Sequence, residues 1–273
     1  MNTPLDVTRT AYLFVTHGSR DPRPDRAVKE LARRVRATLS QKFSAPPLVE
    51  TAALELQPQP LHEQISEFAD RAVGQNIRIL RVVPLFLLPG VHVMEDIPEE
   101  VELAKRTTEK LKINIEISIA PYLGSHPGIV ELLTHAMSSA NSPDARILLS
   151  HGSRRPGGNQ PIEAIAEQLH RQSQITQSQI TQSQIPVLVA YWSVAPALEQ
   201  RVRQLVEARC ARIEILPYFL FSGGITDAIA RDVARLARQF PKTSLQLVEP
   251  IGVSDALAGI LVDLLDRESA RHH

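Results

Sequence analysis

Ala11-Tyr-Leu-Phe-Val-Thr-His-Gly-Ser-Arg20 and Ala145-Arg-Ile-Leu-Leu-Ser-His-Gly-Ser-Arg154 share one plan, a short apolar run followed by His-Gly-Ser-Arg. His17 and His151 stand at an offset of 134 residues. Two further pairs keep nearly that spacing. Pro84-Leu-Phe-Leu-Leu-Pro-Gly90 matches Pro217-Tyr-Phe-Leu-Phe-Ser-Gly223 at an offset of 133, and Pro121-Tyr-Leu-Gly124 matches Pro250-Ile-Gly252 at 129. Three ordered matches at almost one spacing identify an internal duplication. The pattern predicts two copies of one domain, 1–140 and 141–273, with the break near the turn-rich Asn141-Ser-Pro-Asp144.

Within the first copy the periodicity alternates between two types. Ala11–Thr16, Leu48–Leu54 and Ile77–Val83 are short apolar runs suited to strands buried on both faces. Ile113, Ile115, Ile117 and Ile119 alternate with polar residues, as in a strand with one wetter face. Between the strands, Val28, Leu31, Val35 and Leu39 form one helical stripe, and Leu61, Ile65, Phe68 and Ala72 another. A third helix is expected from Asp96, which has capping-box spacing to Glu99, with Pro98 in the first turn. Strand–helix alternation requires parallel strands with right-handed crossovers. The expected fold is α/β, two tandem homologous doubly wound domains with parallel sheets. The second copy repeats the plan, with strands near 145–150, 186–191, 213–217 and 244–248. Residues 172–185, QSQITQSQITQSQI, fit neither period and are expected to form a disordered surface loop.

Composition narrows the function. The 273 residues suffice for two domains with real cores. Thirty Lys+Arg balance thirty Asp+Glu, so no global field draws nucleic acid or an anionic membrane. A single cysteine, Cys210, excludes an internal disulfide and any CxxC motif. The longest uncharged apolar stretch, Val82 to Val93, is too short to span a bilayer, and the N-terminus lacks the plan of a secretory signal. A cytoplasmic protein acting on a small molecule is expected.

In open parallel sheets, ligands bind beyond the carboxyl ends of the strands. In the first copy His17 follows strand one, Glu55 follows strand two, and His92 follows strand three. Two imidazoles and a carboxylate suit a borderline divalent metal, and a neutral imidazole can also accept a proton near pH 7. Each residue alone has a structural explanation: a loop histidine, an exposed strand-end charge, a turn. Their common position at three successive strand ends favours a functional site. His62 and His135 lie in helical patterns and are expected to be solvated. His126, before Pro127, reads as a helix-entry residue, and His272 and His273 as frayed terminal residues.

His17-Gly-Ser-Arg20, Leu54-Glu55-Leu56 and Pro84-Leu-Phe-Leu-Leu-Pro-Gly-Val-His92, followed by Asp96-Ile-Pro-Glu-Glu100, resemble the sirohydrochlorin chelatases in that order. These class II chelatases are lyases that insert Fe²⁺ or Co²⁺ into sirohydrochlorin, in siroheme or cobalamin synthesis. The duplicated layout resembles their longer members, in which two fused halves replace a symmetric dimer. The resemblance implies that His17 and His92 bind metal and handle protons while Glu55 assists. It implies no permanent cofactor, since the metal is a substrate; imidazole and carboxylate ligands do not separate Fe²⁺ from Co²⁺ sharply, and iron is favoured with cobalt possible. Sirohydrochlorin carries carboxylates around a flat apolar ring, so Ser19 and Arg20 are candidate substrate contacts. Leu85–Val91 is a candidate apolar wall. A fused pair is expected to act as a monomer.

The second copy keeps His151, but ungapped alignment sets Trp192 opposite Glu55 and Ile225 opposite His92. It is therefore expected to be a structural half, with catalysis in the first copy. Two rival readings are a non-catalytic tetrapyrrole or metal carrier, and a histidine-nucleophile phosphoryl-transfer enzyme. The second is disfavoured because Thr16 stands where such enzymes place an arginine.

Overall fold

The structure, a computed structural model, describes residues 10–42, 47–137, 143–177 and 185–271. The apolar runs form eight strands: β1 (Thr10–Thr16), β2 (Leu48–Ala53), β3 (Ile79–Pro84), β4 (Glu116–Ile119), β5 (Ala145–Ser150), β6 (Val187–Tyr191), β7 (Arg212–Pro217) and β8 (Ser244–Leu247). They make two sheets in the orders β2-β1-β3-β4 and β6-β5-β7-β8. Every pairing is parallel. The α/β expectation holds, and the registers repeat. Val15 pairs with Pro84 as Leu149 pairs with Pro217.

Eight helices accompany them: α1 (Pro22–Lys42), α2 (Leu61–Gly74), α3 (Ile97–Lys110), α4 (Gly128–Ala136), α5 (Gln160–Gln177), α6 (Leu198–Glu207), α7 (Gly224–Gln239) and α8 (Asp255–Arg271). The predicted stripes are the buried ones. Val28, Leu31, Val35 and Leu39 are buried on α1, and Leu61, Ile65, Phe68 and Ala72 on α2. The α2 stripe joins Leu13, Val15 and Leu80 of the sheet and Val101 and Ala104 of α3 in one core. Each large side chain buried there contributes about 1.5–3 kcal/mol.

The chain folds as two compact units, 1–126 with 253–273, and 127–252. In the first unit α8 packs on α1, where Arg34 pairs with Asp255 at 2.8 Å and Lys42 with Asp266 at 2.5 Å. In the second, α4 packs on α5, and Thr134 Oγ1 donates to Gln172 Oε1. The closing helix of each sequence copy thus serves the unit built on the other copy's sheet. Of the break expected at 141–144, residues 141 and 142 lie outside the described residues.

Two expectations about local structure change. The repetitive tract does not begin as a loop: α5 runs on to Gln177, and Gln172 is held by Thr134. Residues 178–184 of the tract lie outside the described residues, as do His272 and His273. The third helix does not start at Asp96. Helical backbone begins at Val91 and passes through a π turn, His92–Asp96, before α3. No helix of the described residues is long and apolar enough to cross a membrane.

Candidate metal and catalytic site

Strand order reverses direction between β1 and β3, so a crevice opens at their carboxyl ends. His17 leaves β1 directly. Gly18 then adopts φ +99°, and a Cβ there would lie 2.0 Å from the Glu55 carbonyl oxygen. Only glycine permits this approach. It lets the Glu55 N–H donate to the His17 carbonyl at 2.9 Å, which extends the β1–β2 ladder one step past the strands. His17 Nε2 consequently lies 3.9 Å from Glu55 Oε2, with both side chains about half exposed.

His92 arrives by a longer route. After β3, Leu85 enters the core and Phe86 to Pro89 run as a half-buried loop, pinned where Gly124 donates to the Phe86 carbonyl. A Cβ on Gly124 would meet the Leu87 carbonyl at 2.0 Å, so this crossing also requires glycine. Met94 then bonds back to Gly90, and the helix begins. The His92 ring meets the His17 ring edge to face at 4.7 Å, and Phe86 flanks it at 6.0 Å. Its Nδ1 lies 2.6 Å from Asp96 Oδ2.

His17, Glu55 and His92 each offer one ligand atom, all within 4.8 Å of one another. Among the described residues they are the cluster of three or more such side chains that could hold a metal ion. Two donors on one ion stand no more than about 4.2 Å apart, twice a metal–nitrogen bond of about 2.1 Å. Rotation of the half-exposed side chains covers the remaining difference. An accessible three-donor set leaves positions for water or substrate, as in reactive rather than purely structural metal sites.

Ser19 Oγ accepts the Asp21 N–H at 3.0 Å and shapes the entry to α1, while Arg20 is exposed beside it. Asp21 forks onto Arg23, whose guanidinium holds the Asp21 carboxyl down at about 2. The Leu85–Val91 stretch is not a uniform apolar wall, because Leu85 belongs to the core. The exposed apolar side chains nearest the trio in sequence are Leu56 and Met94.

His135 is exposed and His126 precedes the Pro127 cap of α4, as expected, whereas His62 is not solvated and His126 is also buried and paired. His62 is half-buried: its N–H and Nδ1 both meet Glu100 Oε2, joining the start of α2 to α3. His126 is only 8% exposed and pairs with Asp263 of α8 at 2.8 Å. Apolar periodicity does not report such polar clamps between helices.

In the second unit the register corrects the ungapped alignment. Ser193, not Trp192, donates to the His151 carbonyl and so stands where Glu55 stands. Ser193 Oγ also donates to that carbonyl at 2.9 Å. Asp227 bonds back to Gly223 as Met94 does to Gly90, and neither Gly224 nor Ile225 replaces His92.

The fold and site define a class: a duplicated four-stranded parallel layer with two histidines and a glutamate at the strand ends of one copy. A sequence model of the CbiX family matches residues 11–140 and again 145–268, and the chain belongs to that family. A sirohydrochlorin cobaltochelatase of Priestia megaterium is 26% identical over 258 residues, covering 92% of this chain and 77% of the relative. A sirohydrochlorin ferrochelatase of Bacillus subtilis is 27% identical over 241 residues, 87% of this chain and 84% of the relative. The structure of SirB from Bacillus subtilis with Fe³⁺ superimposes with a TM-score of 0.72 at 25% identity, over 96% of each chain.

Proposed function

We propose that this protein is a sirohydrochlorin chelatase, inserting Fe²⁺ or Co²⁺ into the macrocycle at the His17–Glu55–His92 site. The observation that carries this is the convergence of two imidazoles and a carboxylate from three strand ends. The named relatives and the SirB likeness support it.

Insertion exchanges one M²⁺ for two pyrrolic protons, so the site must present the ion and accept the protons. The imidazoles replace part of the hydration shell and hold the ion at the opening. As the macrocycle nitrogens displace these ligands, the freed imidazole of His17 and the carboxylate of Glu55 become proton acceptors 3.9 Å apart. Leu56 and Met94 offer apolar surface to the ring, and Ser19 and Arg20 a polar, cationic contact for its carboxylates. The reading includes a cytoplasmic protein that acts as a monomer, because the duplication already supplies two fused copies.

The test is anaerobic metallation followed by absorbance, with sirohydrochlorin and Fe²⁺ or Co²⁺ in excess over protein. Multiple turnovers are expected, and both His17→Ala and His92→Ala should abolish insertion with far-UV circular dichroism unchanged. A single stoichiometric uptake would identify a carrier, and retained turnover in both variants would refute the site.

A further inference from the structure

The two copies enter the helix after their third strand in the same way and then diverge. Met94 bonds to the Gly90 carbonyl as Asp227 bonds to that of Gly223, an offset of 133. One turn later the buried stripe Ile97, Val101 and Ala104 corresponds to Ile229, Val233 and Leu236, an offset of 132. The first copy therefore carries one additional residue between these points. It is absorbed by the π turn His92–Asp96, in which the Ile97 N–H bonds to the His92 carbonyl five residues back. Pro98 follows immediately and brings no N–H to the ladder. The corresponding helix of the second copy, α7, is α-helical throughout.

A π turn has a functional consequence more often than an α turn, because widening a helix sacrifices packing. Within it Asp96, four residues on, lies beneath His92 with 2.6 Å between Oδ2 and Nδ1. Asp96 makes no helix-capping bond, although its spacing to Glu99 is that of a cap. In the second copy its place falls at Ala228 or Ile229, neither of which carries a side-chain acceptor.

We propose that Asp96 is a positioning residue for His92. Its carboxylate accepts the Nδ1–H, which fixes the ring's orientation and tautomer and leaves unprotonated Nε2 as the nitrogen available to the ion. Carboxylates that hold ligating histidines in this way set both ring geometry and ligand basicity. The inference rests on the metal-site reading above, and the following experiment separates the two.

The His92 tautomer is read by ¹⁵N NMR of histidine-labelled metal-free protein, and Co²⁺ affinity by titration of the Co²⁺ absorption bands. Wild type should show Nδ1–H at His92. Asp96→Ala should shift the ring toward the Nε2–H form and weaken Co²⁺ binding about 10–100-fold. Asp96→Asn, which keeps an acceptor oxygen, should restore the tautomer and most of the affinity. An unchanged tautomer in Asp96→Ala, or a changed tautomer with unchanged Co²⁺ affinity, would overturn the proposal. If His92→Ala binds Co²⁺ as tightly as wild type, the metal-site reading fails. The Asp96 effect on the tautomer would then stand as an orienting contact without a role in metal binding, which also overturns the proposal.

Discussion

The His17 and His92 rings meet edge to face, with centroids 4.7 Å apart and planes at 83°. Neither reaches that place by its own preference. His17 is aimed by the left-handed turn at Gly18, and His92 by a loop pinned at Gly124 and by a helix that begins with a π turn. The site is therefore sensitive to backbone positions that contribute no ligand atom.

Gly18→Ala places a Cβ 2.0 Å from the Glu55 carbonyl, with φ at +99°. The left-handed backbone alone costs about 1–2 kcal/mol, and the clash adds to it. The expected outcome is a destabilisation above about 2 kcal/mol by urea unfolding, with metallation lost. Gly90→Ala has open space and no positive φ, and should stay within about 0.5 kcal/mol of wild type.

His151→Ala should keep metallation within about twofold of wild type, whereas His17→Ala should lose at least about 100-fold. At His151 the carbonyl, not the ring, receives the Ser193 N–H and Oγ bonds, and the substitution leaves that carbonyl in place. Steady-state rates with Co²⁺ measure the contrast. Equal losses in the two variants would assign catalysis to both copies.

Leu56 and Met94 are 50% and 63% exposed, and Leu56 also holds φ +60°. Keeping an exposed apolar residue in the left-handed region costs about 1 kcal/mol without improving the core. Leu56→Ser and Met94→Ser should each raise KM for sirohydrochlorin about 3–10-fold, the equivalent of about 1 kcal/mol of apolar contact, with kcat and stability retained. An unchanged KM in both removes these side chains from the substrate contact.

Tyr191 lies buried in the second unit and donates to Glu163 at 3.2 Å. Burial, reinforced by the Glu163 charge, pushes its phenol up to about 12. Because the folded value is raised, this contribution to stability is complete below pH 10 and disappears as pH rises toward 12. Phenolate absorbance should show a late-titrating tyrosine that disappears in Tyr191→Phe, and that substitution should flatten the fall of stability across the window.

Much of this was legible in the residues. Apolar runs such as Ala11–Val15 report strands because a strand buried on both faces has no room for polar side chains. The three site residues could be placed because each follows such a run. Asp96 is an exception: its spacing to Glu99, with Pro98 between, is also that of a helix start, and only a one-residue change of offset betrays the π turn. Ungapped comparison set Trp192 against Glu55, whereas the hydrogen-bond ladder pairs Ser193 with that position. Periodicity marks the buried face of α1 as apolar but carries no information on which elements cover it. It likewise missed the clamps made by His62 and His126, where one polar residue finds another far along the chain.

The reciprocal lending of α4 and α8 makes the duplication irreversible in practice. Cleaving the polypeptide near residue 140 would leave the first fragment without α8, which packs on α1 and is encoded more than a hundred residues later. The second copy, with Ser193 in the glutamate's place and no histidine in that of His92, thus still supplies a helix to the unit that carries the site.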